Sequence, residues 1–219
     1  MVGRARSPRE PARGRFTHAD IDRLLTEVWR RYGEEAPHLP TRPTVGSRMN
    51  LRFACLTVAL FRALLGQGTE RAYAIELVSD FTWTVYEQWG RLAQLLGRLS
   101  PRPTIETALV THVRPDGAVA LRVPFNPPSS VARHVPSTDG VAFDVVRCAG
   151  ADYFRAQGAA DLCLGSWCNL DYALGEMLGL TFQRTATLVE AADRRDMRWI
   201  RAHRTSADGV AHGARAPST

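Results

Sequence analysis

Three of the four cysteines fall between Cys148 and Cys168, and the last of them is followed at once by Asn169 and then by Asp171. A thiol beside a carboxylate is equipment for nucleophilic catalysis: the thiolate attacks an electrophilic carbon, and the carboxylate positions groups or carries a proton. A polar run follows, with Arg184, Thr185 and Thr187, then Asp196 and Arg198. A planar guanidinium suits a two-pronged grip on a substrate carboxylate. Thiols this dense in a chain that shows no sign of secretion are expected to serve chemistry or metal before disulfides.

Helical periodicity sorts these residues. On a helix over 161–178, Cys163, Trp167, Leu170, Leu174, Met177 and Leu178 share one stripe. Cys168, Asp171, Tyr172 and Gly175 share a neighbouring face, where the bare glycine leaves room for a ligand. Gly165 and Ser166 are the residues able to unwind the first turn. Cys168 and Asp171 are therefore the expected catalytic pair. Arg184, Tyr172, Asn169, Thr185, Asp196, Arg198, Cys148 and Cys163 are the expected substrate contacts, with Cys163 reading equally as a small buried hydrophobe. Arg184 is expected to grip a substrate carboxylate or Asp171 itself.

No metal site is assigned. The cysteines are separated by 14 and 4 residues, which is not the CxxC spacing of a zinc knuckle. A zinc-stabilised fold using these thiols and a histidine stays open as an alternative. GxGxxG, Walker, HExxH and GxSxG motifs are missing, so no cofactor is expected. His112 and His134 read as solvated loop residues. The chain contains no lysine, which excludes Schiff-base chemistry through one.

The elements that position these residues follow from the hydrophobic pattern. Thr17 and Asp20 mark a helix start, with Phe16 stapling onto Ile21 and Gly33 closing the run. A buried helix is expected over about 47–65 and a longer one over 70–99, with Tyr73, Trp83, Tyr86 and Trp89 as core aromatics. Beyond residue 103 the period changes to that of strands at 118–125, 141–147, 181–189 and 197–201. Residues 126–130 read as a loop. Short helices fit 150–157 and 161–178, the second stopped by Gly179. Helices followed by strands with inserted helices give an α+β fold on an antiparallel sheet. One domain is expected over 16–203, helical over 16–100 and mixed over 104–203, with disordered tails at 1–15 and 204–219.

The net charge of +6 is concentrated at the ends. Residues 1–15 hold five Arg and one Glu, and residues 201–219 hold three Arg and one Asp, which leaves the middle neutral. A nucleic-acid partner is not expected, since its surface would carry the excess on a folded face. No run of about 18 apolar residues occurs, so no membrane partner is expected either. The expected partner is a small-molecule substrate in a cytoplasmic setting. The abundance of Ala, Gly and Arg without Lys suits a GC-rich bacterial genome.

Phe143-Asp144, Cys148, Tyr153-Phe154, Gly158, Leu162-Cys163, Cys168-Asn169, Asp171, Glu176, Arg184-Thr185, Thr187-Leu188 and Asp196-Met197-Arg198 together resemble the L-2-amino-thiazoline-4-carboxylic acid hydrolase family. The likeness covers 144–199. It implies opening of a cyclic C=N–C–S substrate by water, and a place in bacterial natural-product metabolism. Arg195 stands where the family typically has a cysteine, which implies different chemistry if that thiol is essential. A looser likeness to vinyl-reductase-like domains implies a ligand pocket against the sheet, and with it the alternative of a non-catalytic binding module.

The tails carry charge without apolar periodicity, so they have little to bury. A chain of residues 15–204 is expected to melt at the same temperature as the full chain. A fall of several degrees in a thermal melt would show that a tail docks on the core.

Overall fold

A computed structural model describes residues 16–42, 44–98, 110–113, 118–121 and 130–201. Both expected tails, the loop at 126–129, His203 and His212 lie outside these residues. The fold is α+β.

Helix α1 (His18–Glu35) starts as the sequence dictates. Thr17 Oγ1 accepts from the Asp20 amide, and Asp20 Oδ2 accepts from the Thr17 amide at 2.8 Å, completing a capping box. Gly33 does not stop the helix, which continues to Glu35 and passes into a 3-10 turn at Ala36–His38, where Pro37 sits. Helix α2 (Val45–Gly66) is capped by Thr44 and buries Leu51, Ala54, Cys55, Val58, Phe61 and Leu64. By length and composition it is apolar enough to cross a membrane, and half of that apolar window is buried inside this fold. Helix α3 (Arg71–Arg98) packs against it.

The sheet has the order β1-β2-β3-β4-β6-β5, and every neighbouring pair is antiparallel. Its strands are β1 (Val110–Val113), β2 (Ala118–Leu121), β3 (Ser130–Val135), β4 (Gly140–Cys148), β5 (Leu180–Gln183) and β6 (Arg195–Arg201). Strands β1 and β3 were not expected: a four-residue VTHV run is too short to show a period, and β3 carries Arg133 and His134 in mid-strand. His112 and His134 are therefore strand residues and not loop residues. The strand expected over 181–189 ends at Gln183, because the Asp196 carboxylate takes the amides of Thr185 (2.9 Å) and Ala186 (2.7 Å) out of any ladder.

Between β4 and β5 lie α4 (Ala149–Ala156), α5 (Ala160–Cys163), a π-helical turn (Leu164–Cys168) and α6 (Leu170–Met177). The helix expected over 161–178 is thus interrupted at its Gly165-Ser166 pair. Gly179 ends the run with φ of 71°, a left-handed backbone that suits glycine.

Two apolar cores meet in this fold. One is helical, centred on Val58, Val78, Phe154, Leu162 and Trp167. The other covers one sheet face, with Phe143, Val145, Phe182, Met197 and Trp199. Cys148 and Leu188 pack against both cores.

Two glycines test this account in opposite directions. A Cβ on Gly140 would sit 1.9 Å from the Trp199 carbonyl oxygen, so Gly140→Ala must part β4 from β6. A loss of about 1–3 kcal/mol is expected in urea unfolding. Gly33 is exposed within α1 and a Cβ there meets nothing within 4 Å. Gly33→Ala is expected to gain about 0.5–1 kcal/mol.

Candidate functional site

The π turn sets the site. Its signature is the Asn169 amide donating to Leu164 O at 3.0 Å, five residues back. One extra residue in a helical turn rotates the following side chains, and such turns are frequent at functional sites. Ser166 fits inside because its hydroxyl donates to Leu162 O at 2.6 Å. Trp167 anchors the turn by donating from Nε1 to Thr57 Oγ1 of α2 at 3.3 Å, and its ring packs on Phe53 and Phe154.

The turn brings Cys163 and Cys168 together with sulfurs 4.0 Å apart, both buried. The Thr187 hydroxyl lies 3.9 Å from the Cys168 sulfur as a donor. Two guanidiniums close on the Cys168 carbonyl: Arg184 Nη1 donates at 2.7 Å and Arg195 Nη2 at 3.2 Å. Arg184 Nη2 also donates to Asn169 Oδ1 at 2.8 Å. Arg195 Nη2 donates to Asp171 Oδ2 as well, in an ion pair buried on both sides.

Electrostatics follow from these contacts. A hydrogen bond from Cys163 holds the Cys168 thiol well below the usual thiol range against the cost of burial, and Arg195, Arg184 and Thr187 add to the effect. The Cys163 thiol is pushed up, because its hydrogen bond to the Cys168 sulfur and its burial both favour keeping its own proton. Burial raises the Asp171 carboxyl to about 6, with Arg195 pulling the other way. At neutral pH the Asp171–Arg195 pair is therefore ionised. Burial also pushes up the Cys148 thiol and the Tyr86 hydroxyl, both within the field of Arg195.

The structure brings together Cys148, Cys163, Cys168, Asn169, Asp171 and Arg184. Of the other four expected contacts, Tyr172 meets only Arg184, and Thr185, Asp196 and Arg198 are engaged elsewhere. Tyr172 is 40% exposed and turned outward, its ring against Phe182 and under the Arg184 guanidinium. Asp196 is occupied with the 185–186 backbone and the Thr185 hydroxyl at 2.8 Å, so both residues shape the loop that carries Thr187. Arg198 lies on the opposite sheet face, on Asp144 Oδ1 (2.7 Å) and Phe143 O (3.0 Å). Gly175 makes no ligand space either: a Cβ there would be 3.2 Å from Leu180 O and from Phe182 Cβ, so its bareness lets α6 lie on β5. The partner of Asp171 is Arg195 and not Arg184.

Arg195 and Thr187 belong to the site and were not assigned to it from sequence, and the Tyr86 hydroxyl lies within its electrostatic reach. For Arg195 a signal existed. Strand alternation puts it on the face of Met197 and Trp199, where a charge must have a buried partner. Among the described residues no three His, Cys, Asp or Glu side chains are arranged to hold a metal ion.

Breaking a buried pair strands a charge, whereas removing both partners does not. Arg195→Met alone is expected to cost about 3–5 kcal/mol in chemical unfolding, and Asp171→Leu with Arg195→Met much less. Alkylation of folded protein by iodoacetamide is expected first at Cys168, with a pH inflection well below the usual thiol range. Labelling at Cys55 or Cys148 ahead of Cys168 would refute that order.

Compared with known proteins, the chain matches no family model, no curated protein and no solved structure.

Proposed function

We propose that this chain is a small-molecule enzyme that works through the Cys168 thiolate on a C=N or carbonyl carbon, in a hydrolytic or closely related reaction. The observation that carries the reading is the environment of that sulfur. One thiol and one donating hydroxyl lie within hydrogen-bonding reach of it, and two guanidiniums meet on the carbonyl of the same residue. A structural cysteine in an apolar core needs none of these.

In the proposed step the thiolate adds to the electrophilic carbon, and the π-electron pair moves to nitrogen or oxygen, which takes up a proton. Arg195 opposes the charge that develops. Asp171 keeps Arg195 in place and charged. For a C=N–C–S ring, the tetrahedral adduct then expels the ring sulfur, which takes a proton and becomes the product's free thiol; water adds to the same carbon, its bond to the Cys168 sulfur breaks, and the thiolate returns. The resemblance of 144–199 to the thiazoline-carboxylate hydrolases favours a cyclic C=N–C–S substrate. Arg195, at the position where that family typically has a cysteine, separates this chain from a plain copy of the family reaction. A cytoplasmic role in bacterial natural-product metabolism accords with the same reading, and thiol chemistry of this kind needs no cofactor.

A second reading, a non-catalytic small-molecule-binding module, draws support from the burial of Cys168, which is only 4% exposed. Turnover separates the two. With 2-amino-thiazoline-4-carboxylate and simple thiazolines as probes, the folded protein is expected to release a free thiol, and Cys168→Ser to reduce the rate on the order of 10³-fold or more. Arg184→Gln is expected to abolish turnover in protein that remains folded, and Asp171→Asn to abolish turnover per folded molecule while costing about 3–5 kcal/mol, because Arg195 loses its buried partner. Saturable binding of these probes without turnover would establish the second reading instead.

A further inference from the structure

The Cys163–Cys168 arrangement has a use that hydrolysis does not call on. An attacking thiolate in hydrolysis needs a donor, but it does not need that donor to be a second thiol. Here the donor is a sulfur 4.0 Å away, five residues earlier across the π turn. The extra residue of a π turn stacks the sixth position over the first, which brings the two Cβ atoms to one side. A disulfide has an S–S bond of about 2.05 Å, so the sulfurs must approach by about 2 Å, within reach of side-chain rotation and slight tightening of the turn.

We propose that Cys163 and Cys168 form a dithiol that reduces a small hydroperoxide, with Cys168 as the attacking sulfur and Cys163 as the resolving one. The inference rests on the reading of Cys168 as the reactive thiol but not on any hydrolytic activity. The Cys168 thiolate attacks one peroxide oxygen and the O–O bond breaks. The departing oxygen leaves with the bonding pair and takes the Cys163 proton, giving an alcohol or water. Cys163, now a thiolate, attacks the sulfenic sulfur of Cys168. The S–S bond forms and hydroxide leaves, to be protonated by solvent. Each sulfur is oxidised by one electron, and the peroxide takes up both. A small external dithiol returns the pair to its reduced state.

The surroundings suit this step. The Thr187 hydroxyl, 3.9 Å from the Cys168 sulfur, can turn to donate to the departing oxygen. The guanidiniums of Arg184 and Arg195, both bonded to the carbonyl of Cys168, hold positive charge beside the anion that forms. Cys55, on α2, has the Tyr153 hydroxyl and Arg62 as neighbours in place of a second thiol, and burial pushes its thiol up, so it serves as an internal comparison.

The sequence makes the test direct. Cleavage after arginine leaves Cys163 and Cys168 on one peptide, 156–184, with Cys148 on 148–155 and Cys55 on 53–62. The full reduced chain is treated with hydrogen peroxide, quenched with N-ethylmaleimide and digested. Peptide 156–184 is expected to lose the mass of two hydrogens and to take up no maleimide, while the other two peptides remain fully labelled. Its oxidation should outpace that of the Cys55 peptide by about tenfold or more. In Cys163→Ser the same peptide should gain one oxygen, trapped by dimedone at Cys168. The proposal is overturned if peptide 156–184 stays reduced while Cys55 or Cys148 reacts, or if the disulfide found involves Cys148. If Cys168 takes iodoacetamide but not peroxide, this inference falls and the nucleophile reading stands. If it takes neither, both fall.

Discussion

The buried Asp171–Arg195 pair is the constraint around which this end of the molecule is arranged. Neither residue can lie where it does without the other, since an unpaired charge in an apolar seam costs several kcal/mol. The pair ties the helical insertion to the sheet: Asp171 comes from the first turn of α6, and Arg195 opens β6 in register with Val145. It thereby fixes the distance between the two apolar cores. Through Arg195 Nη2 it also fixes the carbonyl of Cys168.

The π turn is the second half of the same arrangement. A regular α-helix through Leu164–Cys168 would rotate Cys168 away from Cys163 and from the Thr187 hydroxyl. Holding the turn requires close contacts on every side. Trp167 reaches across to Thr57, Ser166 folds back on Leu162, and Gly165 lies so close to Ile75 that a Cβ would be 2.6 Å from its Cγ2. Burial, hydrogen bonding and steric exclusion therefore all act on five consecutive residues. Consistent with that, these residues contain the most unusual backbone among the described helices.

Much of this was legible in the sequence, and what was not has identifiable physical causes. The capping box at Thr17, the buried α2, the long α3 and the glycine stop at Gly179 all rest on local signals of strong amplitude. Cys168, Asp171, Arg184 and Asn169 were legible as neighbours because one helical stretch and the strand after it carry them. Tyr172 and Gly175 were misplaced because a helical wheel shows which residues share a face but not what packs on it, and β5 with Phe182 lies against these two. Asp196 and Arg198 were misplaced because period-two alternation puts them in part on the far sheet face and in part on the loop they hold. Arg195 went unassigned although its alternation with Met197 and Trp199 pointed inward. The partner of a buried charge is a tertiary fact, and Asp171 lies 24 residues away. The strands β1 and β3 are defined by their pairing more than by their composition.

The strand order has a consequence for how the chain comes into being. Strand β6 is the last of the described elements in sequence, yet it occupies an interior place in the sheet, between β4 and the edge strand β5. As the polypeptide emerges from the ribosome, N-terminal segments are free to organise first. The helices and the hairpin strands up to β4 can pair while the rest is still being made. Strand β5 has no neighbour to join until β6 has emerged, and Asp171 has no counterion until Arg195 arrives. The nascent chain thus carries a helical insertion whose carboxylate cannot yet be buried, and Cys168 lacks one of its cations for that interval. The surroundings of Cys168 are therefore completed in a single late event, when the last described strand slots between β4 and β5.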